Sequence, residues 1–172
     1  PFAHAAAEAR LAAHVGPRRV VDGWMDAYAT GVARRKARGL TPGAVNEDPS
    51  YGVGTTEYLR SLGGYGITLE CGQHDDPAAP AVAAHAIRQT LALLGIAELP
   101  LSPPAQPFEC LILAEVVDRH AEGDHFVRTW ASFDPLAEGE LIARRADGSE
   151  LRAPRSGYIV FPDHGALPGH EW

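Results

Sequence analysis

The sequence has very little cysteine: Cys71 and Cys110 are the only two in 172 residues. They form neither a C-x-x-C motif nor the framework of a disulfide-stabilised secreted domain, which favours a reducing compartment. No apolar run approaches the roughly 20 residues of a membrane-spanning helix, and no stretch has the pattern of a secretory signal. These absences predict a cytoplasmic protein that has no membrane partner.

Basic residues are also few. Lys and Arg number 15 against 22 Asp and Glu, and the net charge is -7. Because such a surface repels phosphates, we expect no nucleic-acid partner. One basic cluster, residues 34–38, runs against this trend. We interpret it as a solvated helix face or loop, with an anion site for substrate as the alternative.

Helical and strand patterns alternate in the first part of the chain. The predicted elements are helices at 4–15, 55–62 and 80–94 and strands at 18–24 and 65–69. The stretch 25–39 fits neither type clearly, and 40–54 is predicted to be a long loop. Alternation of this kind indicates an α/β layer.

A change of pattern divides the chain near residue 104. Residues 99–107 contain four prolines and are interpreted as a linker. Strands are predicted after it, at 108–117, 125–130, 140–145, 150–153 and 158–161, with a hairpin turn at Asp147-Gly148. We therefore expect an α/β domain over residues 1–98 and a β-rich domain over residues 108–172.

Glu70 is the strongest candidate for chemistry. The apolar run 65–69 ends on this acid, and Gly72 and Gln73 follow. An unpaired charge at the end of a buried strand costs free energy, whereas ligand clefts of open α/β sheets lie at the carboxyl ends of strands. The pattern predicts a hydrolase site with Glu70 as the proton-handling residue and Gly72 and Gln73 as weaker substrate-binding candidates. An ion pair with an arginine or a helix cap is the purely structural alternative.

The same stretch carries a family resemblance. Three stretches resemble the succinylglutamate desuccinylase/aspartoacylase family, a branch of the zinc carboxypeptidases. They are GTTEY at 54–58, GITLECGQH at 66–74 and LALLG at 91–95. GYIVFP at 157–162 and PGHEW at 168–172 look like that family's C-terminal domain. The resemblance implies an α/β fold: the C-terminal part of a zinc-carboxypeptidase-like mixed-sheet domain, followed by a small all-β barrel-like domain.

The resemblance also implies an activity. It is zinc-dependent hydrolysis of the amide bond of an N-acyl amino acid or related small substrate, with Glu70 as general base and then general acid. The family holds zinc with a His-x-x-Glu pair and a later histidine, and this sequence contains no His-x-x-Glu. We therefore expect the zinc ligands upstream of residue 1, and we expect this C-terminal portion to be inactive by itself. Glu57 stands where the family has a substrate-contacting arginine, which argues against acidic substrates.

Two alternatives stay open. His74 and Asp75 form a tight mixed pair and are a weaker candidate for a metal site, since a catalytic zinc usually has at least three protein ligands. The other hypothesis is a non-catalytic binding or oligomerisation module, because a partial α/β sheet exposes apolar strand edges that associate. A homo-oligomer is compatible with both hypotheses.

Overall fold

The computed structural model describes residues 2–37, 53–105 and 109–172. Within these ranges lie four α-helices and seven short strands, so the fold is mixed α and β. The helices are α1 (Ala5–His14), α2 (Trp24–Ala37), α3 (Thr55–Ser61) and α4 (Ala79–Leu93). The strands are β1 (Arg19–Asp22), β2 (Glu109–Ile112), β3 (His125–Phe126), β4 (Pro135–Leu136), β5 (Leu141–Arg144), β6 (Glu150–Arg152) and β7 (Gly157–Tyr158).

The chain packs as two units, each made of two stretches. One unit contains residues 1–25 and 52–113, and the other contains residues 26–51 and 114–172. Residues 99–105 of the predicted linker contain no helix or strand. The domain ranges predicted from the sequence stay predictions. None of the helices in the described ranges combines the length and apolar character that a bilayer crossing requires.

The first unit contains a parallel strand pair and a helical core. β1 and β2 pair in parallel, with Arg19 opposite Glu109. Leu11 and Val15 of α1 pack with Ala86 of α4 to form the buried core. Parallel strands need a long crossover connection, usually a helical one, and α3 and α4 lie between β1 and β2 in the sequence. Residues far apart along the chain therefore build this unit.

α4 confirms the helix predicted at 80–94, but only part of its apolar side is buried: Ala86 lies in the core, whereas other apolar residues are exposed. Gly95 ends the helix with a φ of 67°, a conformation that glycine adopts without strain. Ile87 is 61% exposed and Leu94 is also exposed, whereas Gln89 is buried. The N–H of Ser102 donates to the Gln89 side-chain oxygen at 2.8 Å. The segment that covers α4 thus decides which side is buried, and helical periodicity alone does not.

The strand predicted at 65–69 is not formed. Residues 65–71 belong to no sheet in the part of the chain that the structure describes. Ile67 and Leu69 nevertheless pack against the α1–α4 core, while Thr68 and Glu70 are exposed. The side chains alternate as in a strand, but a strand also needs the backbone groups of a neighbour. No described residue supplies these groups.

Glu8 of α1 is a buried acid that joins three elements of the first unit. Arg60 of α3 donates to both Glu8 oxygens, from Nε at 2.8 Å and from Nη2 at 2.5 Å. The N–H of Gly66 donates to Glu8 Oε1 at 3.1 Å. The hydrogen bonds from Arg60 hold the pKa of Glu8 below its usual value although burial opposes this shift. This carboxylate therefore fixes α3 and the start of the 65–71 segment against α1.

In its described residues, the second unit contains two small antiparallel sheets. β5 lies between β3 and β6, and β4 pairs with β7. The turn between β5 and β6 lies at Asp147-Gly148, where Asp147 Oδ1 accepts from the N–H of Ser149 at 2.8 Å, and this confirms the predicted hairpin. Within the described residues the sheets do not close into a barrel. The buried core consists of Trp130, Ile142, Ala143 and Ala153.

α2 covers most of the ambiguous stretch 25–39 and contributes a buried arginine to the second unit. Arg35 is 2% exposed. Its Nε donates to Asp118 Oδ2 at 3.0 Å, and its Nη2 donates to Asp118 Oδ1. The interpretation of residues 34–38 as a solvated face is therefore wrong for Arg35. A run of like charges does not show which of its members will meet a carboxylate distant in the sequence. The predicted loop at 40–54 lies outside the described residues, apart from residues 53 and 54.

Replacing Asp118 by Asn is expected to destabilise the second unit by up to roughly 3–5 kcal/mol, because buried Arg35 would lose its hydrogen-bonded carboxylate and keep only Glu171, whose Oε1 lies 3.8 Å from Nη2. The measurement is the free energy of unfolding from urea titration. Glu150→Gln is the matched control, since Glu150 pairs with Arg144 and Arg152 at the exposed surface, where ion pairs contribute little. Equal stability of Asp118→Asn and the unaltered chain would contradict the role given to the buried pair.

Asp124 is a second buried acid of this unit, 3% exposed. Its Oδ2 accepts from Arg145 Nη1 and from the N–H of His120, both at 2.8 Å. Its Oδ1 accepts from the N–H of Ala146 at 2.9 Å. Burial alone would raise the pKa of Asp124, but these donors together hold it well below its usual range.

Because of Asp124, the free energy of unfolding of the second unit is expected to decrease as the pH falls into the acidic range. A carboxyl group whose pKa is lower in the folded chain stabilises the fold fully above its unfolded value of about 4, and this contribution is lost as the pH falls. Melting temperatures of the unaltered chain and Asp124→Asn should therefore differ most at neutral pH. The difference should narrow below about pH 4. A difference that stays constant on acidification would argue against a lowered pKa.

Candidate active site

Side-chain contacts hold the segment that carries Glu70. Ile67 and Leu69 pack against the core between α1 and α4. Thr68 Oγ1 lies 3.0 Å from Oγ1 of Thr56 on α3, within hydrogen-bond distance. The segment is thus fixed on one side by apolar packing and on the other by a hydroxyl pair, in addition to the hydrogen bond from its Gly66 N–H to Glu8.

Glu70 is exposed at the end of this segment. No ion pair or hydrogen bond joins its carboxylate to another side chain among the described residues. The structural alternative, an acid neutralised by arginine, applies to Glu8 with Arg60 and not to Glu70. An exposed carboxylate on a fixed segment can exchange protons with water and with a bound molecule.

Gly72 forms the turn that follows Glu70. Its φ is 131°, and a Cβ at this position would lie 2.8 Å from Asp76 Oδ2. Asp76 in turn accepts from the N–H of Ala78 at 2.8 Å, and its own N–H donates to the carbonyl of Gln73 at 3.0 Å. These contacts give Gly72 and the Gln73 backbone a structural role in the turn before α4. Their predicted contacts with substrate stay predictions.

The other polar residues of this stretch lie together only because they are neighbours in the sequence. Gln73, His74 and Asp75 are all exposed. Over residues 2–37, 53–105 and 109–172, no three His, Cys, Asp or Glu side chains form a group that could hold a metal ion. The described residues therefore do not by themselves fit the zinc that the resemblance implies. The weaker metal candidate, His74 with Asp75, stays a prediction.

The sequence reasoning missed a cavity in the second unit. Its volume is about 420 Å³, and it is lined by side chains from widely separated positions, among them Arg119, Phe126, His164 and Trp172. No local motif joins these residues. The signal that could have found them is chemical, since arginine, histidine and aromatic residues are concentrated in residues 119–172.

Comparison with protein-family models, with curated proteins and with solved structures gives no match to this chain. The resemblance of residues 54–58, 66–74 and 91–95 to the desuccinylase/aspartoacylase family therefore stays a prediction from the motifs alone.

Replacing Gly72 by Ala is expected to destabilise the first unit by roughly 1–3 kcal/mol. Alanine is strained at the φ of 131° that this turn requires, and its Cβ would lie 2.8 Å from Asp76 Oδ2. Thermal and urea unfolding measure the loss. Gly157→Ala is the control, since a Cβ there meets nothing within 4 Å and its φ is not in the left-handed region. If the two substitutions have the same small effect, the turn at Gly72 is not required.

Proposed function

We propose that this chain supplies the proton-transfer carboxylate of a zinc-dependent hydrolase, which cleaves the amide bond of an N-acyl amino acid or a related small substrate. In this proposal the first part of the chain is the C-terminal part of a zinc-carboxypeptidase-like mixed-sheet domain, and the β-rich part is a small barrel-like domain. The zinc ligands belong to a segment outside the printed sequence, and the chain alone is inactive.

The observation that supports the proposal most is that the side chain of Glu70 is exposed and unpaired among the described residues. Its carboxylate is exposed and has no arginine partner among the described residues, although the segment before it is anchored by Ile67 and Leu69. Anchored backbone with an unpaired acid at its end is the arrangement that a general base needs, because the group must be positioned and also able to take a proton.

Within the proposed reaction, this chain performs the proton transfers. Zinc, when bound by its own ligands, would polarise the substrate carbonyl and the attacking water. Glu70 takes the proton of that water as it adds to the amide carbonyl, and then gives the proton to the leaving amine as the C–N bond breaks. The same carboxylate thus ends the cycle unprotonated, and no other proton carrier is needed.

The substrate class follows in part from Glu57. Its Oε2 accepts from the N–H of Gly54 at 3.0 Å, so this acid caps the start of α3, and an arginine at the same place would bring a positive charge instead. The family resemblance implies that this position contacts substrate, and a carboxylate there would repel an acidic group. The proposal therefore does not favour acidic substrates.

The second candidate is a non-catalytic binding or oligomerisation module. It is favoured by exposed apolar side chains on and after α3, where Tyr58 and Leu62 are 62% and 68% exposed. The neighbouring 65–71 segment has no strand partner among the described residues. Exposed apolar groups beside an unpaired strand-like edge are typical of surfaces that associate.

Replacing Glu70 by Gln tests the proton-transfer role, in the complete enzyme that includes the zinc-ligand segment. Turnover of N-acyl amino acids should fall by roughly 10²–10⁴-fold, because an amide cannot accept the water proton. Zinc content, measured on the same samples, should not change. Glu98→Gln is the matched control: Glu98 is also exposed in the first unit, and its replacement should leave turnover unaltered.

Two outcomes would contradict the hydrolase proposal. Near-normal turnover in Glu70→Gln would remove Glu70 from the reaction. A complete protein that contains no zinc and hydrolyses no N-acyl amino acid, but sediments as an oligomer, would support the module instead. In that case Leu62→Gln should dissociate the oligomer, since it replaces an exposed apolar contact by a polar one.

A further inference from the structure

One face of α3 holds the segment that carries the candidate carboxylate. Thr56, Leu59 and Arg60 lie three and four residues apart, so their side chains share that face. Thr56 Oγ1 lies 3.0 Å from Thr68 Oγ1, and a Cβ at Gly66 would lie 3.3 Å from Leu59 Cδ2. The helix and the segment therefore run side by side in opposite directions, with the start of α3 near Thr68 and its end near Gly66.

Glu8 of α1 joins α3 to this segment through a single oxygen. Its Oε1 accepts from Arg60 Nε at 2.8 Å and from the N–H of Gly66 at 3.1 Å. Its Oε2 accepts from Arg60 Nη2. The side chain of Glu8 is 10% exposed, whereas that of Arg60 is 35% exposed. The carboxylate is thus the buried centre of the contact, and the guanidinium lies closer to solvent.

The hydrogen bond from Gly66 fixes the segment along its own direction. Its N–H is the only backbone donor of the segment that has a partner among the described residues. Strands in a sheet are held by a ladder of such bonds, whereas here the packing of Ile67 and Leu69 and the hydroxyl pair supply the rest. Because apolar packing is non-directional, the bond to Glu8 decides the register of the chain up to Glu70.

We propose that Glu8 is a positioning residue for Glu70. By holding the N–H of Gly66 and the face of α3, it fixes where the carboxylate of Glu70 stands relative to the substrate. Glu8 takes no part in the proton transfers, since it is buried and both of its oxygens already accept hydrogen bonds. This inference rests on the proposed function, in which Glu70 is the general base.

Two substitutions separate a positioning role from a contribution to stability alone. Arg60→Met removes the counter-charge of Glu8, but the Glu8 carboxyl group still accepts from the N–H of Gly66. Glu8→Met removes that acceptor as well. Because Glu8 is more buried than Arg60, Arg60→Met leaves the more costly uncompensated charge and should have the lower melting temperature. The expected order of stability is therefore opposite to the expected order of positioning.

The first measurement is amide hydrogen exchange in the chain itself. The N–H of Gly66 should exchange roughly tenfold faster in Glu8→Met, because it loses its acceptor, and at a nearly unchanged rate in Arg60→Met. Glu109→Met is the matched control. Glu109 is also an acid of the first unit that pairs with an arginine, Arg19, but it lies at the surface. Its replacement should leave the exchange of Gly66 unaltered.

The second measurement is turnover of N-acyl amino acids in the complete enzyme, at a temperature where all variants are folded. The kcat of Glu8→Met should fall roughly 10–100-fold with little change in KM, because a misplacement of about 1 Å costs up to 10²-fold in rate. Arg60→Met should lose less kcat, although it is the less stable variant. A role in stability alone predicts the reverse, with the larger loss in Arg60→Met.

Glu70→Gln distinguishes the failure of this inference from the failure of the proposed function. If Glu70→Gln is inactive while Glu8→Met keeps normal kcat and normal exchange at Gly66, only the positioning role is wrong. If Glu70→Gln turns over normally, the proposed function is wrong and the positioning role is wrong with it. Should Glu8→Met not fold, Arg60→Met decides alone, since loss of protection at its Gly66 N–H contradicts the inference.

Discussion

The first unit depends on the buried carboxylate of Glu8. It accepts two hydrogen bonds from Arg60 and one from the N–H of Gly66, so its oxygens are satisfied and its charge is balanced. Charge-assisted bonds of this geometry are stronger than neutral ones. They matter here because the 65–71 segment has no ladder of backbone hydrogen bonds among the described residues. One ionic contact and the packing of Ile67 and Leu69 replace the sheet that a strand of this pattern normally joins.

This arrangement exposes two kinds of groups on the same segment. The side chain of Glu70 is open to solvent, and the backbone of residues 67–70 makes no hydrogen bond to another backbone group among the described residues. The two proposed functions use these groups differently, since proton transfer needs the carboxylate and association needs the backbone edge. They are therefore separable in one molecule, and neither follows from the other.

In the second unit, two buried acids are each paired with an arginine. Asp118 is matched by Arg35 and Asp124 by Arg145, as expected where desolvated charges must be compensated. Arg119 departs from this pattern, because its partners are carbonyls and one of its nitrogens has none. Arg119 therefore differs from Arg35 and Arg145, each of which pairs with a carboxylate.

The sequence alone determined the features that depend on neighbours along the chain. The helices α1, α3 and α4 and the hairpin turn at Asp147-Gly148 follow from helical residues, capping positions and glycine, and all four lie close to their predicted positions. Only the tertiary structure decided that Glu8 meets Arg60, that Arg35 meets Asp118, that the 65–71 run has no strand neighbour among the described residues, and that distant positions between 119 and 172 line one open cavity. These features depend on which distant surfaces meet, and periodicity along a chain carries no information about that.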